Sequence, residues 1–192
     1  MQPRSTVRDS RLIDALEALP RKPLSGTTWR AVPEGRDPVQ CSASGGRWDD
    51  STFDVLYTSL DHNGAIAEMY FHLMRGQPIF PSKIRYALYE LRVELSETLC
   101  LSKSDLVSLG LDISRYGQLS YQGRTEEYFR TQEIAEVAHF LNYEGLVVPN
   151  ARWPCDNLIV FCDCVAPEAI EASDDSEIID WMNWQKTHKV HL

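Results

Sequence analysis

The chain lacks the long apolar runs and the short signatures that identify many common classes of protein. No stretch of its 192 residues approaches the roughly 18 consecutive apolar residues of a membrane span. Neither G-x-G-x-x-G nor G-x-x-x-x-G-K-[ST] occurs, so no nucleotide fold with a glycine fingerprint is expected. G-x-S-x-G and H-E-x-x-H are also missing, which argues against an α/β-hydrolase and a zinc protease.

Basic residues are scarce. There are 19 Lys and Arg against 28 Asp and Glu, and the net charge is -9. Such a protein repels phosphate backbones, so neither nucleic acid nor a membrane is predicted as a direct partner. Between Trp153 and Gln185 there is no Lys or Arg, and this stretch is either a solvated acidic segment or a docking site for a basic partner. The N-terminus lacks the apolar core of a secretory signal, so a cytoplasmic location is predicted.

The five cysteines are an odd number in a chain expected to be intracellular, so we predict no disulfides. Cys162 and Cys164 are separated by one residue in the apolar run LIVFCDC. A structural zinc site needs two such pairs, or one pair with histidines at set spacing. That pattern is missing, and no metal is predicted.

The hydrophobic periodicity predicts an α+β fold with short strands, two or three packing helices and long loops. The alternation of Tyr89, Leu91, Val93 and Leu95 is typical of a half-buried strand. The predicted strands are Thr27–Val32, Phe53–Ser59, Ala87–Leu95, Leu146–Val148 and Leu158–Cys162. The predicted helices are a short one capped by Ser10, then Gly64–Arg75, Ser104–Leu109, Glu126–Asn142 and Ile178–Trp184. The second helix is predicted to be capped by Asp61 or Asn63 and stopped by Gly76 and Pro78.

The segment from Gly45 to Tyr70 carries the most chemistry. Arg47 follows two glycines, which allow a sharp turn near a ligand, and an arginine can pair with a phosphate through two hydrogen bonds. Tyr57 lies in a predicted strand, and Glu68 lies in an unusually apolar helical turn. Each has an ordinary alternative: a surface arginine, a core tyrosine and a carboxylate on the wet side of a helix. Together they form a set suited to a dinucleotide and to a developing cation.

A second polar stretch runs from Val147 to Phe161, VVPNARWPCDNLIVF, between two buried strands. Asn150, Arg152 and Asn157 either face a pocket from this loop or make an ordinary connection with asparagines in turn geometry.

In this order, GGRW, LYTS, AIAE, QEIAEVAH, YEGLVVPNAR and NLIVF resemble the RES-domain toxins over roughly Trp29 to Asp163. Arg47 and Glu68 match the Arg and Glu of the family name, and Tyr57 matches a recurrent active-site tyrosine. Where family members commonly read P-S-A-R, this chain has Asn150 in place of the Ser.

The resemblance implies an ADP-ribosyltransferase-like split sheet around an NAD cleft, with residues 27–165 as the RES domain, 1–26 as a helical extension and 166–192 as an acidic segment packed on the same domain. It implies cleavage of NAD by hydrolysis, phosphorolysis or transfer to a target protein. It also implies a cognate antitoxin with an Xre-like helical region that blocks the cleft. The implied catalytic residues are Arg47, Tyr57 and Glu68, and the implied NAD-binding residues are Arg30, Arg47, Trp48, Tyr57, Ser59 and Asn150.

Two other classes of function remain open at this point. One is a noncatalytic module of the same fold that only holds a nucleotide or a partner protein. The other is a structural subunit whose acidic segment Glu168–Asp180 docks a basic partner.

Overall fold

The computed structural model describes residues 8–74, 85–117 and 121–189, with the side chains of 121–124 left aside. Five α-helices and six strands are present within these ranges. The helices are α1 (Ser10–Glu17), α2 (His62–Leu73), α3 (Lys103–Ser108), α4 (Tyr121–Phe140) and α5 (Trp181–His188). The strands are β1 (Arg21–Pro33), β2 (Val55–Ser59), β3 (Tyr86–Cys100), β4 (Gly145–Pro149), β5 (Asp156–Phe161) and β6 (Ile170–Ile178). Short 3₁₀ turns cover Ile113–Arg115 and Pro167–Ala169.

The strands form one mixed sheet in the order β1-β2-β5-β4-β3-β6. β1 also pairs along β3, from Arg21 opposite Leu99 to Pro33 opposite Tyr86, so the sheet closes on itself like a barrel. The β3–β4 pairing is parallel, and the other pairings are antiparallel. The α+β class predicted from the sequence is therefore confirmed.

Most predicted elements occur, and local chemistry explains their ends. Asp61, one of the two residues predicted to cap α2, accepts the Gly64 N–H. α1 is capped by Asp9 instead of Ser10, because the Asp9 carboxylate accepts the Arg11 N–H. The predicted end of α2 at Arg75, with its stop signals Gly76 and Pro78, lies outside the described residues.

The acidic segment after residue 166 enters the sheet as β6, which pairs antiparallel with β3. The helix predicted from Ile178 begins at Trp181, and Ile178 is the last residue of β6. The predicted boundaries at residues 27 and 165 stay a prediction, although β1 begins at Arg21 and strands on both sides of these boundaries share one sheet.

Buried side chains form three clusters around the sheet. One cluster lies under α1, α3 and α4 and includes Leu16, Leu106, Ile134, Tyr143 and Phe161. A second lies under α2 and α5 and includes Ala67, Tyr70, Leu88 and Trp184. The third fills the other face of the sheet with Leu56, Leu91, Val93, Leu158 and Val160. No helix among the described residues combines the length and the apolarity that crossing a bilayer requires.

The prediction that the chain has no disulfide was wrong. Cys41 is joined to Cys162, with Cα atoms 6.5 Å apart and a sequence separation of 121. Ser42 pairs with Val55, and the Cys162 N–H donates to the Asp54 carbonyl, so both cysteines arrive beside the start of β2. The pairing follows from strand contacts that cysteine spacing cannot indicate.

Candidate functional site

The loop that carries Arg47 is organised by a fully buried carboxylate. Asp49 accepts the backbone N–H groups of Gly45 at 2.6 Å and Gly46 at 2.7 Å. Gly45 has a φ of +74°, which favours glycine, and a Cβ on Gly46 would lie 2.5 Å from the Tyr57 hydroxyl oxygen. The glycine pair therefore makes the tight turn predicted from the sequence, and its close approach is to Tyr57.

Tyr57 holds this loop through its hydroxyl group. The hydroxyl donates to Asp49 Oδ2 at 2.9 Å and accepts the Trp48 N–H at 2.9 Å. Burial, followed by the charge of Asp49, raises the pKa of Tyr57 well above its ordinary value. Trp48 is itself buried in the core, so its side chain anchors the turn. The phenol is thus committed to loop structure, and only the ring is left to contact a ligand.

Arg47 forms a buried ion pair. Its Nε lies 2.6 Å from Glu127 Oε1, and the two side chains are 10% and 2% exposed. The guanidinium carbon lies 5.0 Å from the ring centroid of Tyr116 and 5.7 Å from that of Tyr128. Burial lowers the pKa of Arg47, but Tyr116, Glu127 and Glu68 outweigh it and the net pKa is raised. Within the described residues, the hydrogen bond of this guanidinium is the one from Nε, and Nη1 and Nη2 have no acceptor there.

Glu68 lies on α2 and is half-buried. Its Oε1 accepts the Ala151 N–H at 3.3 Å and the Asn157 Nδ2 at 3.4 Å. The carboxylate is also close enough to raise the pKa values of Arg47 and Tyr116. Glu68 is therefore directed toward Ala151 and Asn157, within electrostatic range of Arg47, and it does not lie on an exposed stripe of the helix.

The sheet register brings Tyr57, Ser59 and Asn157 to one face of the sheet. Trp29 pairs with Ser59, Ser59 pairs with Asn157, and residues paired across antiparallel strands share a face. Tyr57, two residues before Ser59, lies on that face as well. Ser59 is buried, with Oγ 3.4 Å from the Cys155 sulfur, so it packs beneath the start of α2.

Arg30 does not join this group. It follows Trp29 in β1, so its side chain lies on the opposite face of the sheet. Its Nη1 donates to the carbonyls of Pro38 at 2.7 Å and Gln40 at 3.0 Å. Burial, followed by Arg36, lowers the pKa of Arg30 to about 10. Arg30 therefore fastens the loop after β1, and its predicted contact with NAD has no support from this geometry.

Asn150 uses its whole side chain within the protein. Its Nδ2 donates to Asn157 Oδ1 at 2.8 Å and to the Gly64 carbonyl at 3.4 Å. Its Oδ1 accepts the N–H groups of Arg152 at 2.7 Å and Trp153 at 3.0 Å. Since an amide side chain offers two donors and one acceptor oxygen with two lone pairs, this set is full. Asn150 shapes the loop and orients Asn157 toward Glu68.

Three residues of this cluster were not predicted as site residues: Tyr116, Glu127 and Tyr128. Glu127 had one available signal, because it lies seven residues before Ile134 on the apolar side of the predicted helix. A carboxylate on that side needs a partner. Besides Arg47, Glu127 accepts the Gly117 N–H at 3.2 Å. The Tyr116 hydroxyl donates to the Pro149 carbonyl at 2.7 Å, and nothing in its local sequence indicated this.

Two cavities border the cluster. One of 120 Å³ is lined by Glu127 together with Gly110, Leu111, Asp112, Arg115, Glu126 and Arg130. The other, of 580 Å³, is lined by Asn150 and Trp153 together with residues near the start of α3, among them Lys22, Ser102 and Lys103. Neither is lined by Arg47, Tyr57 or Glu68, so the convergence of those three rests on their contacts and electrostatics.

The sequence of this chain matches the RES domain family over residues 7–182, and the chain belongs to that family. A probable NAD(+) phosphorylase of Mycobacterium tuberculosis is 28% identical over 156 residues, which cover 79% of this chain and 71% of that protein. The crystal structure of the M. tuberculosis MbcT–MbcA toxin–antitoxin complex contains a chain that superposes with a TM-score of 0.75 at 18% identity, covering 95% of this chain and 99% of that one. At this identity the match shows a common fold.

Proposed function

We propose that this protein is the toxin of a toxin–antitoxin pair and cleaves the nicotinamide glycosidic bond of NAD. One observation carries the proposal. The buried Arg47 is paired with Glu127 through Nε, its terminal nitrogens have no acceptor among the described residues, and it lies within electrostatic reach of Glu68. Membership of the RES family and the relative named as a probable NAD(+) phosphorylase support NAD as the substrate.

Arg47 binds the pyrophosphate of NAD. A guanidinium donates two parallel hydrogen bonds to phosphate oxygens, and its terminal nitrogens suit this role. The Glu127 carboxylate holds Nε and so fixes the plane of the fork. Burial strengthens the charge–charge attraction, since little water competes for the guanidinium.

Glu68 stabilises the ribosyl cation that develops as nicotinamide leaves. The bond between the ribose carbon and the nicotinamide nitrogen breaks with both electrons going to nitrogen, so the charged ring leaves neutral and needs no acid. One carboxylate is then sufficient, in contrast to the pair usual in glycoside hydrolysis. Glu127 does not act as a second such carboxylate, because Arg47 and the Gly117 N–H occupy it. The Tyr57 ring stacks against nicotinamide while its hydroxyl stays in the loop.

The acceptor we favour is inorganic phosphate, because the M. tuberculosis relative is named a probable NAD(+) phosphorylase. A phosphate oxygen then bonds to the ribose carbon and yields ADP-ribose phosphate. NAD labelled in its adenylate half separates the alternatives. Label in ADP-ribose phosphate that requires added phosphate indicates phosphorolysis, label in ADP-ribose indicates hydrolysis, and label on a protein indicates transfer.

The test of the function is release of nicotinamide from NAD by the purified chain and by Glu68→Gln. The variant keeps the shape of the side chain and removes its charge, and we expect a loss of about 100- to 1000-fold in rate. Glu90→Gln, a change at an exposed position of β3, is the matched control and retains the rate. Circular dichroism checks that both variants are folded. Binding of NAD by the wild-type chain without any release of nicotinamide would favour the noncatalytic module instead.

The partner is a cognate antitoxin, with an Xre-like helical region, that covers the proposed NAD site around Arg47 and Glu68. The fold shared with a chain of a toxin–antitoxin complex supports a partner of this kind. We expect expression of the chain alone to arrest growth, and co-expression with the helix-rich product of a neighbouring reading frame to restore it. Purified antitoxin also competes with NAD. Growth arrest that the Glu68→Gln variant still causes would separate toxicity from NAD cleavage.

A further inference from the structure

Three side chains of types that bind metals meet at the end of α4, twelve residues beyond Glu127. His139 lies in the last turn of α4, and Asp163 and Cys164 lie in the turn after β5. His139 Nε2 lies 2.9 Å from both carboxylate oxygens of Asp163, and Cys164 Sγ lies 3.9 Å from Asp163 Oδ1. One nitrogen, one oxygen and one sulfur ligand atom all lie within 4.8 Å of one another.

The histidine is held in a single orientation. Its ring stacks on Phe53, with centroids 4.4 Å apart and planes 10° apart, and it meets the edge of Phe161 at 5.5 Å. These contacts leave Nε2 directed toward Asp163. A ligand held by packing loses little side-chain entropy when a metal binds, which favours binding.

The turn that carries the other two ligands is also ordered. The Cys164 N–H donates to the Phe161 carbonyl at 3.0 Å, so Asp163 and Cys164 leave the end of β5 in a tight turn. Cys162, two residues earlier, is bonded to Cys41 and is not available as a ligand. The Cys164 thiol is therefore the one sulfur that this turn presents.

The charge around this cluster is negative. Burial, followed by the carboxylates of Asp163 and Glu144, raises the pKa of the Cys164 thiol to about 11. No Lys or Arg occurs between Trp153 and Gln185 to offset them along the chain. Within the described residues, the charged partner of Asp163 is His139, which is positive only when protonated. A divalent cation would offset both carboxylates and favour the thiolate form of the cysteine.

We propose that His139, Asp163 and Cys164 form a site for a divalent cation of the zinc class. Imidazole and thiolate together select Zn²⁺ over Mg²⁺ and Ca²⁺, and the distances to the metal, about 2.0–2.3 Å, are compatible with small rotamer changes here. A water molecule completes the four ligands. The bound metal joins the end of α4 to the turn after β5, so it stabilises the fold without entering the chemistry of NAD.

The proposal is independent of the proposed function, and binding tests it directly. The non-reduced chain, stripped with a chelator, is titrated with Zn²⁺ by calorimetry and with Co²⁺ by absorbance, because a cobalt–thiolate bond gives a charge-transfer band. We expect one equivalent to bind, and the melting temperature to rise with Zn²⁺. Cys164→Ser and Asp163→Asn weaken Zn²⁺ binding at least tenfold, and Cys164→Ser abolishes the cobalt band. Cys155→Ser, which removes another free thiol, leaves both signals unchanged.

Three outcomes overturn the site. The first is an absence of saturable binding in the wild-type chain. The second is unchanged binding in Cys164→Ser or Asp163→Asn, which would assign the metal to other residues. The third is binding that occurs only after reduction, since Cys162 would then be the sulfur ligand. Both substituted residues lie at the surface turn, and circular dichroism confirms that the variants are folded. Protection of Cys164 from alkylation by Zn²⁺, mapped by peptide mass spectrometry, locates the site without any substitution.

Discussion

The Arg47 guanidinium and the Glu127 carboxylate form an ion pair of 2.6 Å with almost no exposure to water. The two residues are 80 positions apart in sequence. Gln132, one turn further along α4, donates to the carbonyls of Gly46 and Asp49 and so fastens the same loop. α4 therefore holds both the Arg47 side chain and its loop in place, and Glu127 is a positioning residue.

Glu127→Gln removes the charge of the partner and keeps an acceptor for Arg47. Full loss of one partner of a buried pair costs about 3–5 kcal/mol. We therefore expect Glu127→Gln to lower the unfolding free energy, measured with urea, by less than Glu127→Ala does. In nicotinamide release, the KM for NAD rises more than kcat falls, since the arginine no longer holds the pyrophosphate in place. Glu126→Gln, at the adjacent exposed position paired with Arg115, is the control. Lower stability with an unchanged KM would limit Glu127 to a structural role.

Tyr57→Phe tests the hydroxyl that closes the Arg47 loop. The change leaves the Trp48 N–H without its acceptor and removes one of the three donors to Asp49, which costs about 1–3 kcal/mol. Urea unfolding measures the loss. Tyr89→Phe on β3 is the control, because the Tyr89 hydroxyl has no hydrogen bond to a described residue, and it changes stability little. Equal effects of the two substitutions would contradict the assigned role.

The same residue makes stability depend on alkaline pH. The pKa of Tyr57 in the folded protein is well above 10.0, its ordinary value, so the folded state favours the neutral phenol. The neutral phenol therefore contributes to the stability of the folded state. This contribution is fully present below pH 10 and is lost as the pH rises above 10 toward the pKa of Tyr57 in the folded protein. We expect the difference in unfolding free energy between wild type and Tyr57→Phe to narrow above about pH 10. If the difference in unfolding free energy stays constant to higher pH, the folded state does not raise the pKa of the phenol.

The disulfide predicts a specific count of thiols. Without reductant, the unfolded chain reacts with a thiol reagent at three positions, Cys100, Cys155 and Cys164. After reduction all five cysteines react. Replacing Cys41 and Cys162 together by serine lowers the unfolding free energy by about 2–4 kcal/mol. The control is Cys100→Ser, whose effect on stability relative to wild type is the same with and without reductant. Five reactive thiols before reduction would exclude the bond.

Trp184 links the C-terminal helix to the helix that carries Glu68. Its side chain is 6% exposed, its ring lies 5.6 Å from that of Tyr70, and its Nε1 donates to Asn63 Oδ1 at 3.0 Å. Trp184→Ala removes this packing, and we expect a loss of about 3–5 kcal/mol in thermal or urea unfolding. Met182→Ala on the same helix is the control, since Met182 is 82% exposed. A small effect of the tryptophan change would mean that α5 is not part of the core.

Elements with strong local patterns could be predicted from the sequence. The alternation around Tyr89 and Leu91 indicated the middle of β3, and the apolar face with Ile134 and Ala138 indicated α4. β6 was not predicted, because its residues are almost all exposed and acidic and its pairing with β3 provides the order. An edge strand without a buried face leaves no alternation in the sequence.

The candidate site divides in the same way. Gly45, Gly46 and Arg47 form a local motif, and their turn could be predicted. Arg30 is close to the motif in sequence but lies on the other face of the sheet, because a strand alternates its side chains. Glu127 is distant in sequence and yet contacts Arg47 directly.

The sequence by itself determined the α+β class, a capped start for α2, the tight glycine turn and the family to which the chain belongs, because each depends on residues close together or on a pattern along the chain. Tertiary structure alone decided that Cys41 bonds to Cys162, that Glu127 holds Arg47, and that His139 meets the turn after β5. Those contacts depend on strand register and helix docking, which bring together groups that no local spacing relates.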